Sequence, residues 1–166
     1  MATIREQLRP AATYDGDFYG WALRQASLLR ERRFDLLDLE NLAEEVEGLA
    51  RSEAKELRSR YETLLQHLLK WEFQPEKRSS SWEITIVRER REILEHLADN
   101  PSLQPRRSEL FAKAYLTARD NAAIETGLPL RRFPVDNPYT LDQATDPPFW
   151  PGGRDVPERR RRKGGG

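Results

Sequence analysis

The chain has no cysteine. That excludes thiolate nucleophiles, zinc ribbons and iron–sulfur ligation, removes disulfides as a source of stability, and fits a reducing compartment. Histidine is nearly as scarce, with only His67 and His96 present. A carboxylate-bridged two-metal site in a helical bundle wants a Glu three residues before a His on each of two helices. Those positions hold Leu64 and Ile93. Glycine-rich phosphate loops are missing too: the glycine clusters are Gly152-Gly153 and Gly164-Gly165-Gly166, and neither leads into a helix. No run approaches the roughly 18 apolar residues of a membrane span, and no apolar signal segment opens the chain. Ser52, Ser59, Ser81 and Ser108 have no histidine near them in sequence. The expectation is a chain without catalytic residues, bound metal or cofactor, working in the cytoplasm.

What is present is charge, leucine and alanine. Lys+Arg and Asp+Glu number 28 each, but residues 154–163 hold six basic and two acidic residues, which leaves 22 against 26 elsewhere. The folded body is therefore mildly acidic and the basic character sits in a tail. At 166 residues the chain is long enough for one domain with a real core. Residues 1–12 read as an N-terminal extension, 13–151 as a single helical domain, and 152–166 as a disordered basic and glycine-rich tail.

Periodicity predicts an all-α bundle of four principal helices. The first starts near Asp15 or Asp17 and runs to about Arg32, with Phe18, Trp21, Ala22, Gln25, Leu28 and Leu29 spaced three and four apart. Asp38 is a good N-cap for the second, whose first turns carry Glu40, Glu44, Glu45 and Glu47 where the helix dipole favours negative charge. That acidic run reads as a solvated helix start rather than a metal site. The second helix spans about 39–74, roughly 54 Å at 1.5 Å per residue. That exceeds the diameter of about 40 Å for a compact 150-residue domain. Either it breaks near Gly48 to Ser52, or it continues and packs against a second copy; the continuous form is favoured. The third helix starts at Ser80 or Ser81, carries Trp82, Ile86, Arg90, Ile93 and Leu97 with Val87 and Leu94 beside them, and ends near Asn100-Pro101. The fourth runs from about Pro105 to Gly127. Residues 128–153 are rich in proline and aromatics and read as an extended strap on the bundle, with one helical turn after Thr140.

Several quoted segments carry a family likeness. Tyr14-Asp-Gly-Asp-Phe-Tyr-Gly-Trp21, His67, Leu68-Leu69-Lys70-Trp71, Pro75, Ser81-Trp82 and Glu125-Thr-Gly-Leu-Pro129 resemble the bacterial domain-of-unknown-function family twenty-nine. The resemblance implies a small, almost wholly helical protein and no established activity.

Two groups of residues are singled out. The turn between the second and third helices gathers His67, Lys70, Trp71, Gln74, Arg78, Trp82 and Arg88. Two indoles beside cations and an imidazole suit a planar anionic ligand; the competing reading is an aromatic plug on which Lys and Arg lay their stems. The second group, Gln25, Glu53, Arg90 and Glu125, puts polar residues on apolar stripes. A charge out of water costs several kcal/mol unless paired, so these residues are expected to meet in a buried polar network. The partner is expected to be another protein or a second copy of the chain, with no membrane. Arg159, Arg160, Arg161, Arg162 and Lys163 form a basic arm suited to weak, salt-sensitive nucleic-acid binding. The function expected is a non-catalytic, self-associating interaction or scaffold protein, the alternatives being a nucleic-acid-associated protein that uses the basic arm and a binder or enzyme for a small anionic ligand at the turn.

Overall fold

A computed structural model describes residues 12–155. They form five α-helices and no strand: α1 (Phe18–Arg30), α2 (Leu39–Phe73), α3 (Ser80–Asp99), α4 (Arg107–Thr126) and α5 (Leu141–Thr145). The chain is an all-α bundle, as its periodicity indicates. Two compact units can be distinguished, one up to Arg51 and one from Ser52 onward. The basic arm, Arg159 to Lys163, lies outside the described residues.

The first unit contains α1 and the start of α2. Asp17 caps α1, its carboxylate accepting from Gly20 N at 2.9 Å. A Cβ on Gly20 would stand 2.5 Å from that carboxylate and 2.8 Å from Ala12 Cβ, so a side chain there would push the capping carboxylate and Ala12 aside. Tyr14, Phe18 and Trp21 stack with centroids 4.9 to 5.7 Å apart. The Tyr14 hydroxyl donates to Glu45, and that bond, followed by burial, raises its pKa. The helix closes in a Schellman turn: Arg33 N donates to Leu28 O and Arg32 N to Leu29 O. Arg32 occupies the left-handed position with φ 58°, where glycine is usual.

Asp38 then caps α2, accepting from Asn41 N and Nδ2 and from Trp21 Nε1, while its own N–H donates to Gln25 Oε1 at 2.9 Å. The Asn41 side chain and then Trp21, acting against burial, hold the Asp38 carboxyl below its usual range. α2 runs unbroken for 35 residues through Gly48 and Ser52.

The second unit holds the core. Leu57, Tyr61, Leu64, Leu68 and Trp71 of α2 are buried with Ile86, Ile93 and Leu97 of α3. Ala114, Ala118 and Ala122 of α4, four residues apart, complete a seam of small side chains flanked by Phe111 and Tyr115. Tyr61 meets Phe111 edge-on at 5.3 Å. Burying each large apolar side chain contributes about 1.5–3 kcal/mol. Ser79 caps α3 through Trp82 N. α4 starts at Arg107, because Pro101 to Arg106, with Pro105 inside, winds as a 3-10 turn first. It ends at Gly127, whose φ of 69° is left-handed.

Residues 128–153 pack as a strap. Phe133, Tyr139 and Ala144 are buried in the core. Thr140 and Gln143 form a capping box that starts α5. Proline offers no N–H, and an irregular strap has carbonyls without ladder partners. Three arginines supply the donors. Arg78 donates to Pro151 O and Gly152 O, Arg90 to Ala144 O, Pro147 O and Phe149 O, and Arg119 to Leu130 O and Phe133 O.

That arrangement corrects the expected polar network. Arg90 is 3% exposed, but it reaches neither Glu53 nor Glu125, because its fork is committed to three strap carbonyls. Gln25 is buried and committed to Asp38. Glu53 and Glu125 are about half exposed and have separate partners: His96 and Asn100 for Glu53, Lys70 for Glu125. Between α2 and α3, Arg60 Nη1 pairs with Glu89 at 3.5 Å and Arg60 Nη2 with Glu92 at 3.6 Å.

Candidate functional site

The turn from α2 to α3 is set by Pro75, which ends α2, and by Ser79, which starts α3. The last two turns of α2 point Gln66, Lys70 and Trp71 inward, all buried, with His67 half-buried beside them. Lys70 is 5% exposed; its Nζ donates to Glu125 Oε2 at 2.5 Å and lies 4.5 Å from the centroid of Trp82. Burial alone would raise the Glu125 carboxyl, but the Lys70 ammonium and then Gln66 hold it below the usual carboxylate range. Glu125 thus supplies the counterion that a buried ammonium requires.

His67 Nδ1 lies 2.9 Å from Thr63 O and must donate to it, since a carbonyl only accepts. Burial lowers the His67 pKa, Thr63 opposing and Lys70 adding to the fall. A neutral ring with its proton on Nδ1 leaves the Nε2 lone pair able to accept a proton.

Trp71, fully buried, belongs to a second cluster. Its indole packs on Trp150 at 4.9 Å and donates to Gly153 O at 2.8 Å. Arg78 Nε donates back to Trp71 O, and its guanidinium lies 5.1 Å from the Trp71 ring. Gln74 Nε2 donates to Thr126 O at 3.3 Å.

The seven residues therefore separate. His67, Lys70 and Trp82 meet around Glu125; Trp71 and Arg78 meet on the strap; Gln74 ties α2 to the end of α4. Arg88 joins neither group. It is exposed, pairs with Glu89, and lines a shallow cleft on α3 with Glu83, Ile84, Val87 and Arg91.

Gln66 and Glu89, both buried polar groups, were not legible in sequence as site residues. Trp150 was visible only as one aromatic among prolines. Tyr139 is held by Glu72: its hydroxyl donates to that carboxylate, and burial followed by the Glu72 bond raises its pKa. Near the end of α3, Glu53, Glu56 and His96 bring ligand atoms within 4.8 Å of one another. His96 Nε2 donates there to Glu53 O at 3.0 Å, so that nitrogen is already in use.

Residues 13–150 match the family described as domain of unknown function DUF29, and the chain belongs to that family. The segments that carry the resemblance have structural roles here: Tyr14 to Trp21 supplies the cap, the tight glycine and the aromatic cluster of α1, while Lys70-Trp71 and Glu125 supply the Lys70–Glu125 pair and the strap contact. Comparison with curated proteins and with solved structures returned no match. No helix among the described residues is long and apolar enough to cross a membrane.

Proposed function

We propose that this member of the DUF29 family is a non-catalytic helical interaction protein that works in the cytoplasm and associates with a second copy of itself. The observation that carries this reading lies at the start of α2. Leu39, Leu42, Val46 and Leu49 follow a three-four-three spacing, so Leu39 and Val46, and likewise Leu42 and Leu49, are seven residues apart. This is the repeat that lets helices pair along a seam. Leu39, Val46 and Leu49 are 66, 64 and 68% exposed. Tyr19 and Leu23 of α1 are also exposed. Exposed apolar side chains at this helical spacing point to an interaction surface. Charge supports a second copy as the occupant: the first unit carries acidic Glu40, Glu44 and Glu47 on α2, the last two held only by exposed Arg51, and basic Arg24 and Arg30 on α1, so two copies related by a twofold axis can set one sign against the other.

The turn between α2 and α3 supports a structural rather than a ligand-binding role, because its cations already have partners. Lys70 is paired with Glu125, and Arg78 is spent on carbonyls. The nucleic-acid reading rests on Arg159 to Lys163, outside the described residues.

Sedimentation equilibrium of the full chain and of a Val46→Glu, Leu49→Glu variant tests the proposal. The wild type is expected to show a concentration-dependent dimer that the variant loses while keeping its helicity. A wild type that stays monomeric at the highest concentration, or a variant that dimerises as well as the wild type, refutes it.

A further inference from the structure

The outer side of α3 and the end of the strap enclose a cleft of about 360 Å³ within the second unit. Val87 and Leu94 of α3 and Pro147 and Trp150 of the strap form its apolar walls. Arg90, Arg91 and Arg154 form its polar edge. Small-molecule sites have this build: a concave apolar surface of roughly 300–1,000 Å³ with a few placed polar groups.

The charges are unevenly matched. Arg90 is buried, and its hydrogen bonds among the described residues all go to neutral carbonyls, with no carboxylate of those residues in an ion pair with it. Its Cζ lies 5.3 Å from the Trp150 ring centroid, and Arg154 Cζ lies 5.0 Å from the same ring. Two guanidinium groups thus share one indole. Burial first, and then the like charge of Arg154, lower the Arg90 pKa to about 10, with Asp146 opposing. Arg154 is paired with Glu83, and Arg91 with Glu92 and Glu95, but Arg91 and Arg154 are 65 and 62% exposed. Exposed pairs of this kind contribute only about 0–1 kcal/mol, so an incoming anion displaces them at little cost. Trp150 Nε1 is shielded from solvent and has no acceptor among the described residues.

We propose that this cleft binds a small amphiphilic carboxylate, its apolar body against Val87, Leu94, Pro147 and Trp150 and its carboxylate among Arg91, Arg154 and the edge of Arg90. The apolar walls reject a bare anion and the arginines reject a neutral chain, so both halves of the ligand are needed. The site is separate from the Lys70–Glu125 pair and from the exposed face of α2, and it stands or falls independently of self-association.

The test uses the full chain, labelled so that the Trp150 indole N–H resonance can be followed and assigned with Trp150→Phe. Octanoate is the probe, octanol its uncharged counterpart and acetate its charged end alone. Octanoate is expected to move the Trp150 resonance saturably with Kd at or below about 1 mM, near what ten non-hydrogen atoms can supply. Octanol and acetate should bind at least about tenfold more weakly, a difference of about 1.4 kcal/mol. The Arg91→Gln, Arg154→Gln variant should lose affinity by a similar factor while the Trp71 indole resonance stays in place. Leu94→Glu, at an exposed position, should abolish binding and serves as the second variant. An octanoate titration that leaves Trp150 unmoved, octanol binding as tightly as octanoate, or full affinity in both variants overturns the proposal.

Discussion

Replacing Arg90 by methionine removes the donor that holds the middle of the strap. Three carbonyls lose their partner: Ala144 O at 2.8 Å, Pro147 O at 3.2 Å and Phe149 O at 2.7 Å. The bond to Ala144 is buried, and stranding a buried acceptor costs about 1–3 kcal/mol. The other two lie nearer solvent, where water can replace the guanidinium, and contribute about 0.5–1 kcal/mol each. Relief of the desolvation of a buried cation offsets part of the sum. The net expectation is a loss of about 2–3 kcal/mol, which lowers Tm by about 4–12 °C for a chain of this size. Arg90→Lys should lose nearly as much, because an ammonium is a point donor and cannot reproduce a planar fork aimed at three carbonyls. Hydrogen exchange should localise the damage to residues 141–150. Since Glu125 pairs with Lys70 and not with Arg90, Arg90→Met and Glu125→Gln should be additive within about 0.5 kcal/mol. An unchanged Tm, full protection of the strap, or rescue of Arg90→Met by Glu125→Gln would refute the clamp.

Trp71→Ala should cost about 3–5 kcal/mol by thermal or denaturant unfolding, and Trp82→Ala, half-buried, distinctly less; equal costs would contradict the burial. Glu125→Gln should destabilise more than a surface substitution, by about 1–3 kcal/mol, because it leaves the Lys70 ammonium buried without a counterion; the reading fails if Glu125→Gln is neutral. Because the folded-state pKa of His67 is below its ordinary value of 6.5, the unfolded chain takes up the proton first. Its contribution is therefore intact above about pH 6.5 and is lost as pH falls below it. His67→Gln should flatten the stability profile on that acid side, as followed by urea unfolding, and an unaltered profile would show that His67 is not involved. Arg32→Gly should raise stability by about 0.5–1 kcal/mol by relieving a left-handed non-glycine residue; destabilisation would mean that the Arg32 side chain matters more than its backbone.

Helix boundaries were legible where their punctuation is chemical: Asp17, Asp38, Pro75 and Gly127 act where their side chains or ring require, whereas the cap of α3 is Ser79, just before the serines that mark its start in the sequence. Stripe membership was less so. Val87 and Leu94 have the spacing of core residues, yet both are exposed, because periodicity gives a face and not what covers it. Arg90 was rightly placed inside but assigned the wrong kind of partner. Sequence shows carboxylates, whereas the groups that satisfy Arg90 are backbone carbonyls of a strap 54 to 59 residues away. The Lys70 partner was hidden for the same reason: Glu125 is 55 positions distant, and only the packing of α4 brings it near. Trp150 could not be tied to Trp71 or Arg90 from a proline-rich segment without periodicity.

Self-association through the start of α2 is tested most directly by spin labels. The chain has no cysteine, so Val46→Cys provides a single attachment point at an exposed position. Paired helices lie about 8–10 Å apart between axes, and labels on the seam of two copies should give a well-defined short inter-spin distance that vanishes when labelled chain is diluted with excess unlabelled chain. The account predicts that distance, and predicts that Leu49→Glu abolishes it. A dipolar signal absent at all concentrations, or unaffected by Leu49→Glu, would contradict it.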